Sequence, residues 1–111
     1  MLKNKRNNKI LAKEVKLCKN NFSKALGLMF SKPKTLIFVL KKEKIISLHM
    51  FFVLYPIDVL FLNKNKKVVQ LKENFRPFRI MIAKKPAKYI IELPNQTIQK
   101  TDTKLGRTIS F

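Results

Sequence analysis

Few side chains in this 111-residue chain could carry chemistry: one histidine, one cysteine and six acids. His49 could act as a general base if a carboxylate and a cleft lay beside it. Asp58 interrupts the apolar stretch MFFVLYPIDVLFL, residues 50–62. Two antiparallel strands divided near Pro56 would bring it close to His49. The ordinary alternative for His49 is a strand-edge position, bonded to backbone or solvent. A buried carboxyl is costly unless it is hydrogen-bonded. Asp58 therefore either pins a neighbouring loop through backbone N–H groups or serves as a ligand-binding acid at the mouth of a sheet. Glu92, in YIIEL, poses the same question. Alternation sets Tyr89, Ile91 and Leu93 on one face and turns Glu92 to the other, towards solvent. Paired with Asp58, it would make a hydrolase-like site with two carboxyl groups.

The remaining candidates point to binding. Phe75-Arg76-Pro77-Phe78-Arg79 interleaves rings with cations, a mixture that holds single-stranded nucleic acid by base stacking and phosphate contact. Its ordinary reading is a loop whose rings, Phe75 and Phe78, tuck into the core while Arg76 and Arg79 stay wet. Cys18 lies near Lys16 and Lys19, which would favour a reactive thiolate, but a lone cysteine is commonly a small buried apolar residue. A single cysteine excludes an internal disulfide. One His and one Cys fall short of the four ligands of a structural zinc site. The chain has two glycines, Gly27 and Gly106, so it lacks a glycine-rich phosphate loop. No motif calls for a cofactor.

Basic residues number 25 against 6 acids, a net charge of +19. Such a balance suits a polyanionic partner, nucleic acid or an acidic membrane surface. The bland alternative is a solvated lysine coat. Only four of the basic residues are arginines: Arg6, Arg76, Arg79 and Arg107. Arginine is the residue expected in force at a dedicated phosphate site, because its planar fork bonds phosphate bidentately. The expected partner is thus unknown, with nonspecific nucleic-acid contact through the lysine surface held open. The opening MLKNKRNNK leads into no hydrophobic signal core, and a cytoplasmic address follows as an expectation.

Residues 45–62 form an 18-residue oily run. A spanning helix needs about 20 apolar residues, an aspartate near its centre costs about 2.5–3.5 kcal/mol, and Pro56 would break the helical ladder. The run is instead expected as two core strands, 45–53 and 57–62, with the proline at the start of the second. No membrane span is expected.

Around it, residues 1–8 read as a polar basic arm and 9–111 as a single β-rich domain. Ile10–Leu17 reads as one strand or two short ones. Asn20-Asn21 would cap a short helix burying Leu26, Met29 and Phe30. Thr35–Leu40 is a strand and Lys41–Lys44 a charged turn. Asn63–Lys66 is a hairpin turn, where asparagine tolerates positive φ, and Lys67–Glu73 is the return strand with Val69 and Leu71 inward. Residues 74–88 form a loop with a brief strand at Ile80–Ile82. Tyr89–Leu93 is a strand, Asn95 caps a second short helix that ends before Gly106, and Thr108–Phe111 closes the chain. Many short strands with one or two short helices predict a mainly β sandwich, jelly roll or barrel-like fold.

The same segments carry a resemblance. Gly27-Leu28-Met29-Phe30, Leu36–Val39, His49-Met50, Pro56-Ile57-Asp58-Val59-Leu60-Phe61-Leu62, Ala87–Pro94 and Lys104-Leu105-Gly106 follow in that order. The chain resembles the domain of unknown function 192 family, also called uncharacterised protein family 0127. That family's hallmarks are a GLMF-type tetrad, a P-[LI]-D-[IV]-x-F strand and an ELP segment before a closing K-x-G-D turn. The resemblance implies a compact, mainly β domain and no established activity. His49–Val53 stands where many members carry W-M-K-N-T, a form associated with archaeal members, so any role of the missing Asn and Thr is not carried over. Arg107 replaces the usual closing Asp.

Three functions then stand in order. The first is a non-enzymatic binding or accessory module. The second is a basic nucleic-acid-associated protein. The third is a hydrolase-like enzyme using Asp58, His49 and Glu92.

Overall fold

Ile57–Leu62 forms a strand whose six residues are all buried. That burial explains the apolar stretch, broken only by Asp58, because a strand covered on both faces has no wet side to alternate towards. A computed structural model of the chain describes residues 1–19, 35–45, 47–49, 55–76, 80–82 and 84–111. In chain order the strands are β1 (Leu2–Asn4), β2 (Ile10–Ala12), β3 (Lys16–Lys19), β4 (Leu36–Lys44), β5 (Ser47–His49), β6 (Ile57–Leu62), β7 (Val68–Phe75), β8 (Ile80–Ile82), β9 (Ala87–Pro94) and β10 (Ile109–Ser110). One helix, α1 (Thr97–Lys100), lies between β9 and β10. No helix among the described residues is long and apolar enough to cross a membrane.

Five strands make the central sheet in the order β3-β4-β9-β6-β7, open at both edges, so the fold is a layered sandwich and not a closed barrel. All its pairings are antiparallel except β3 with β4. A three-stranded sheet, β10-β1-β2, covers one face. There Leu2, Leu11 and Ile109 pack with Ile37, Leu60, Leu62, Ile91 and Leu93, and α1 adds Ile98. On the other face Leu36, Phe38, Ile57, Val59, Phe61, Phe75 and Ile90 form a second cluster, with Tyr55 packed against it.

Several expectations change. Residues 1–8, read as a free basic arm, contain β1, where Leu2 and Asn4 are fully buried. The Asn4 amide donates to the carbonyls of Thr101 and Asp102 at 3.3 and 3.4 Å, which compensates its burial. Lys41–Lys44 is not a turn but the second half of β4, whose side chains stay largely in water while the backbone pairs. Among the described residues, the two halves of the oily run do not pair with each other. β5 joins β8 in a separate two-stranded sheet, and β6 lies between β7 and β9. In the Asn63–Lys66 turn the positive φ falls on Lys66, at 63°, and not on either asparagine. Asn63 instead bonds the turn, its Oδ1 accepting from Asn65 N and Lys67 N. The Lys66 ammonium donates to the Phe111 carbonyl at 2.9 Å and stands 4.0 Å over that ring. The helix expected after Asn20-Asn21 lies outside the described residues.

Phe61 is fully buried at the centre of the sheet. Phe61→Ala should cost about 3–5 kcal/mol, measurable as a lower urea midpoint at unchanged slope. A cost below about 1 kcal/mol would show that this part of the sheet is not tightly packed.

Candidate functional site

Asp58 and Glu92 sit on neighbouring strands but on opposite faces. The register pairs Asp58 with Leu93, and Val59 with Glu92. Directly opposed residues share a face and successive residues alternate. The Asp58 side chain therefore belongs to the face covered by β1, β2 and β10, and Glu92 to the face shared with Val59 and Leu36. The sheet itself separates the two carboxyl groups, so they do not form the paired site that two-carboxyl hydrolysis requires. His49 places its backbone in β5, in register with Ile80 and apart from β6, so the hairpin that would have joined it to Asp58 does not form.

Asp58 holds two elements at once. Its Oδ1 accepts from Asn74 N of β7 at 3.0 Å and its Oδ2 from Ile98 N of α1 at 2.9 Å. The second bond caps α1 from a strand forty positions earlier in the chain. Asn95, the expected cap, does not fill that role. Gln96 occupies the cap position in a left-handed conformation without a side-chain cap bond, while Asn95 Oδ1 accepts from Gln96 N. Both Asp58 oxygens are thereby engaged, and full burial costs this side chain little.

Glu92 is the opposite case. Alternation placed it correctly, away from Tyr89, Ile91 and Leu93, but its face is not solvent. The side chain is 3% exposed, flanked in register by Leu36 and Val59. Its Oε2 meets no hydrogen-bond partner among the described residues. Burial without compensation raises its pKa from the ordinary 4.5 to about 8. Tyr55 lies within electrostatic range. Burial first, and the Glu92 charge second, push its phenol upwards.

The arginine–aromatic stretch is divided. Phe75 is 2% exposed and part of the core, so its ring is not available to stack on a base. Arg76 is exposed. Phe78 and Arg79 lie outside the described residues, and β3 carries Cys18 on the edge of the central sheet.

Among the described residues, a groove of about 870 Å³ lies between β7 and α1, within the range of roughly 300–1,000 Å³ typical of small-molecule sites. Leu71, Ile98 and Leu105 supply its apolar surface, and Lys84, Lys85 and Lys104 its cations. Two acids, Glu73 and Asp102, also line it. Asp58 ties both walls, through Asn74 on β7 and Ile98 on α1. None of these lining residues was singled out from the sequence as a site. One available signal was Leu105, a large apolar residue in the polar stretch Lys104–Arg107. The groove also depends on contacts between segments far apart in the chain. No group of three or more metal-ligating side chains is clustered among the described residues.

The whole arrangement has relatives. A family model described as DUF192, Uncharacterized ACR, matches residues 2–111. A UPF0127 protein of Pyrococcus furiosus is 43% identical over 88% of this chain and 86% of its own length. One of Pyrococcus horikoshii is 41% identical over 88% and 87%. Among solved structures, a candidate transcription regulator of Sinorhizobium meliloti superposes with a TM-score of 0.77 at 22% identity, covering 86% of this chain and 79% of that one. A protein of unknown function from Novosphingobium aromaticivorans superposes with the same score at 19% identity, covering 87% and 74%. At these identities the two structures show a shared fold.

Two predictions follow from the contrast between the carboxyl groups. Asp58→Ala leaves two donors unmet, the buried Ile98 N and the part-buried Asn74 N, and should cost about 2–4 kcal/mol. Asp58→Asn, which keeps one accepting oxygen, should cost roughly half as much. Equal costs in chemical denaturation would show that only one of the two bonds matters. For Glu92, the folded pKa of about 8 lies above the ordinary 4.5. The folded state therefore holds a proton that the unfolded chain has already released across that interval. The stability linked to this proton is complete below pH 4.5 and is lost as pH rises through 8. Its slope is at most about 1.4 kcal/mol per pH unit. Glu92→Gln should flatten the decline, so the variant gains on the parent protein between pH 5 and 9. Parallel melting curves across that range would mean that Glu92 does not carry the proton.

Proposed function

The chain belongs to the DUF192 family of uncharacterised proteins, and from that premise we propose that it is a small non-enzymatic binding module whose ligand face is the β7–α1 groove. The observation that carries this reading is the groove's construction. Apolar side chains from a strand, a helix and a closing turn converge beneath a charged rim, the usual composition of a site that binds by contact. Its two walls are fixed to one buried side chain, Asp58, so the groove exists before any ligand arrives. A preformed cleft binds with a smaller ordering cost than one assembled on contact.

Binding is favoured over hydrolysis because the candidate acids are separated by the sheet, and Asp58 spends both oxygens on backbone donors. The nucleic-acid reading keeps the net charge of +19 as its support but loses the Phe75 ring to the core.

The test is a fragment screen followed by backbone amide shifts. Small apolar and amphipathic compounds should move the amides of Leu71, Ile98, Gln99 and Leu105 together, saturably. Leu105→Glu, a change at a side chain 63% exposed, should abolish the response without altering the melting temperature. Shifts that scatter over the surface, or that collect elsewhere and survive Leu105→Glu, would overturn the assignment.

A further inference from the structure

We propose that the groove takes an amphipathic anion, a ligand with an apolar body and a carboxylate or sulfonate head. The inference deepens the reading of the groove as a ligand face and rests on it. The body is specified by the apolar surface. Leu105 exposes most of its side chain there, alongside half-buried Val69 and Leu71, and a hydrocarbon laid over these residues removes that area from water.

The head is specified by the charge left over at the rim. Asp102 already faces Lys104 at 3.5 Å, so that pair offers little net charge. Glu73 then stands alone against Lys84 and Lys85, both exposed and neither in an ion pair among the described residues. The turn that bears them is anchored: Lys84 N donates to Gln70 Oε1 on β7 at 2.7 Å. Two adjacent ammonium groups are thus attached to one wall of the groove. An anionic head there is attracted by both, a neutral head gains nothing from them, and a cationic head is repelled. A second copy of the chain is disfavoured as the occupant, because each copy carries a net charge of +19.

The experiment titrates the intact protein with cis-parinaric acid, whose fluorescence rises in an apolar site, and with its uncharged methyl ester. The acid should bind saturably at one site, and the ester about tenfold more weakly. Lys84→Glu with Lys85→Glu should weaken the acid by about tenfold or more and leave the ester unchanged. Lys41→Glu with Lys42→Glu, an equal charge change at exposed positions of β4 outside the groove, should leave both unchanged. If acid and ester bind equally and Leu105→Glu abolishes both, the groove stands as a ligand face and the anionic class is overturned. If the β4 pair weakens the acid as much as the groove pair, the attraction is a general property of a cationic surface, and the proposal is overturned. If neither probe binds saturably, or Leu105→Glu changes nothing, the ligand-face reading falls with it. Thermal melts of each variant confirm that it is folded.

Discussion

Six consecutive buried residues in β6 oblige the chain to supply a separate layer for each face of that strand. On one side the layer is the sheet of β1, β2 and β10, assembled from the two ends of the sequence. On the other it is the cluster around Phe38, Phe61 and Phe75. A strand with one wet face could have been served by half of this chain. The need to seal both faces draws a polar opening such as MLKNKRNNK into the fold, because Leu2 is required as cover. Asn4, carried in beside it, is accommodated by bonding the carbonyls that follow α1.

The same two-sided burial explains why two acids on adjacent strands behave so differently. Asp58 enters the face where the chain's later turns arrive, and there it finds two backbone N–H groups to satisfy it. Glu92 enters the other face, between Leu36 and Val59, where its Oε2 finds no partner among the described residues. Burial with that oxygen unmet favours the protonated carboxyl, and the pKa of about 8 expresses that preference. One acid thus gives the fold a fixed joint. The other gives it a sensitivity to pH.

Local pattern made several elements legible. The β6 strand followed from an apolar run interrupted by proline, and the turn at Asn63–Lys66 from its residue types. Alternation assigned Tyr89, Ile91 and Leu93 to one face and Glu92 to the other, and the register agrees. What alternation could not say was whether the second face would be covered, since that depends on segments distant in sequence. The cap of α1 was missed for the same reason. Capping rules search the adjacent residues, and Asn95 answered that search, but the oxygen that meets Ile98 N comes from β6. The pairing of β5 with β8 was equally hidden, because composition marks a segment as extended without naming its neighbour.

The groove belongs to this last class of property. Its walls are β7 and α1, which are not neighbours in sequence, and their spacing is set by one carboxyl that bonds a backbone N–H on each. The Pro56-Ile57-Asp58 segment therefore has a meaning that a search for catalytic acids would miss. Pro56 precedes the strand, Ile57 and Val59 commit it to the core on one face, and Asp58 fixes on the opposite face the two elements between which the groove lies. Releasing Oδ2 would orphan the buried Ile98 N–H, and releasing either oxygen would loosen a wall. Of the two roles the sequence allowed Asp58, pinning a neighbouring segment through backbone N–H groups is the one these bonds match, and it pins two.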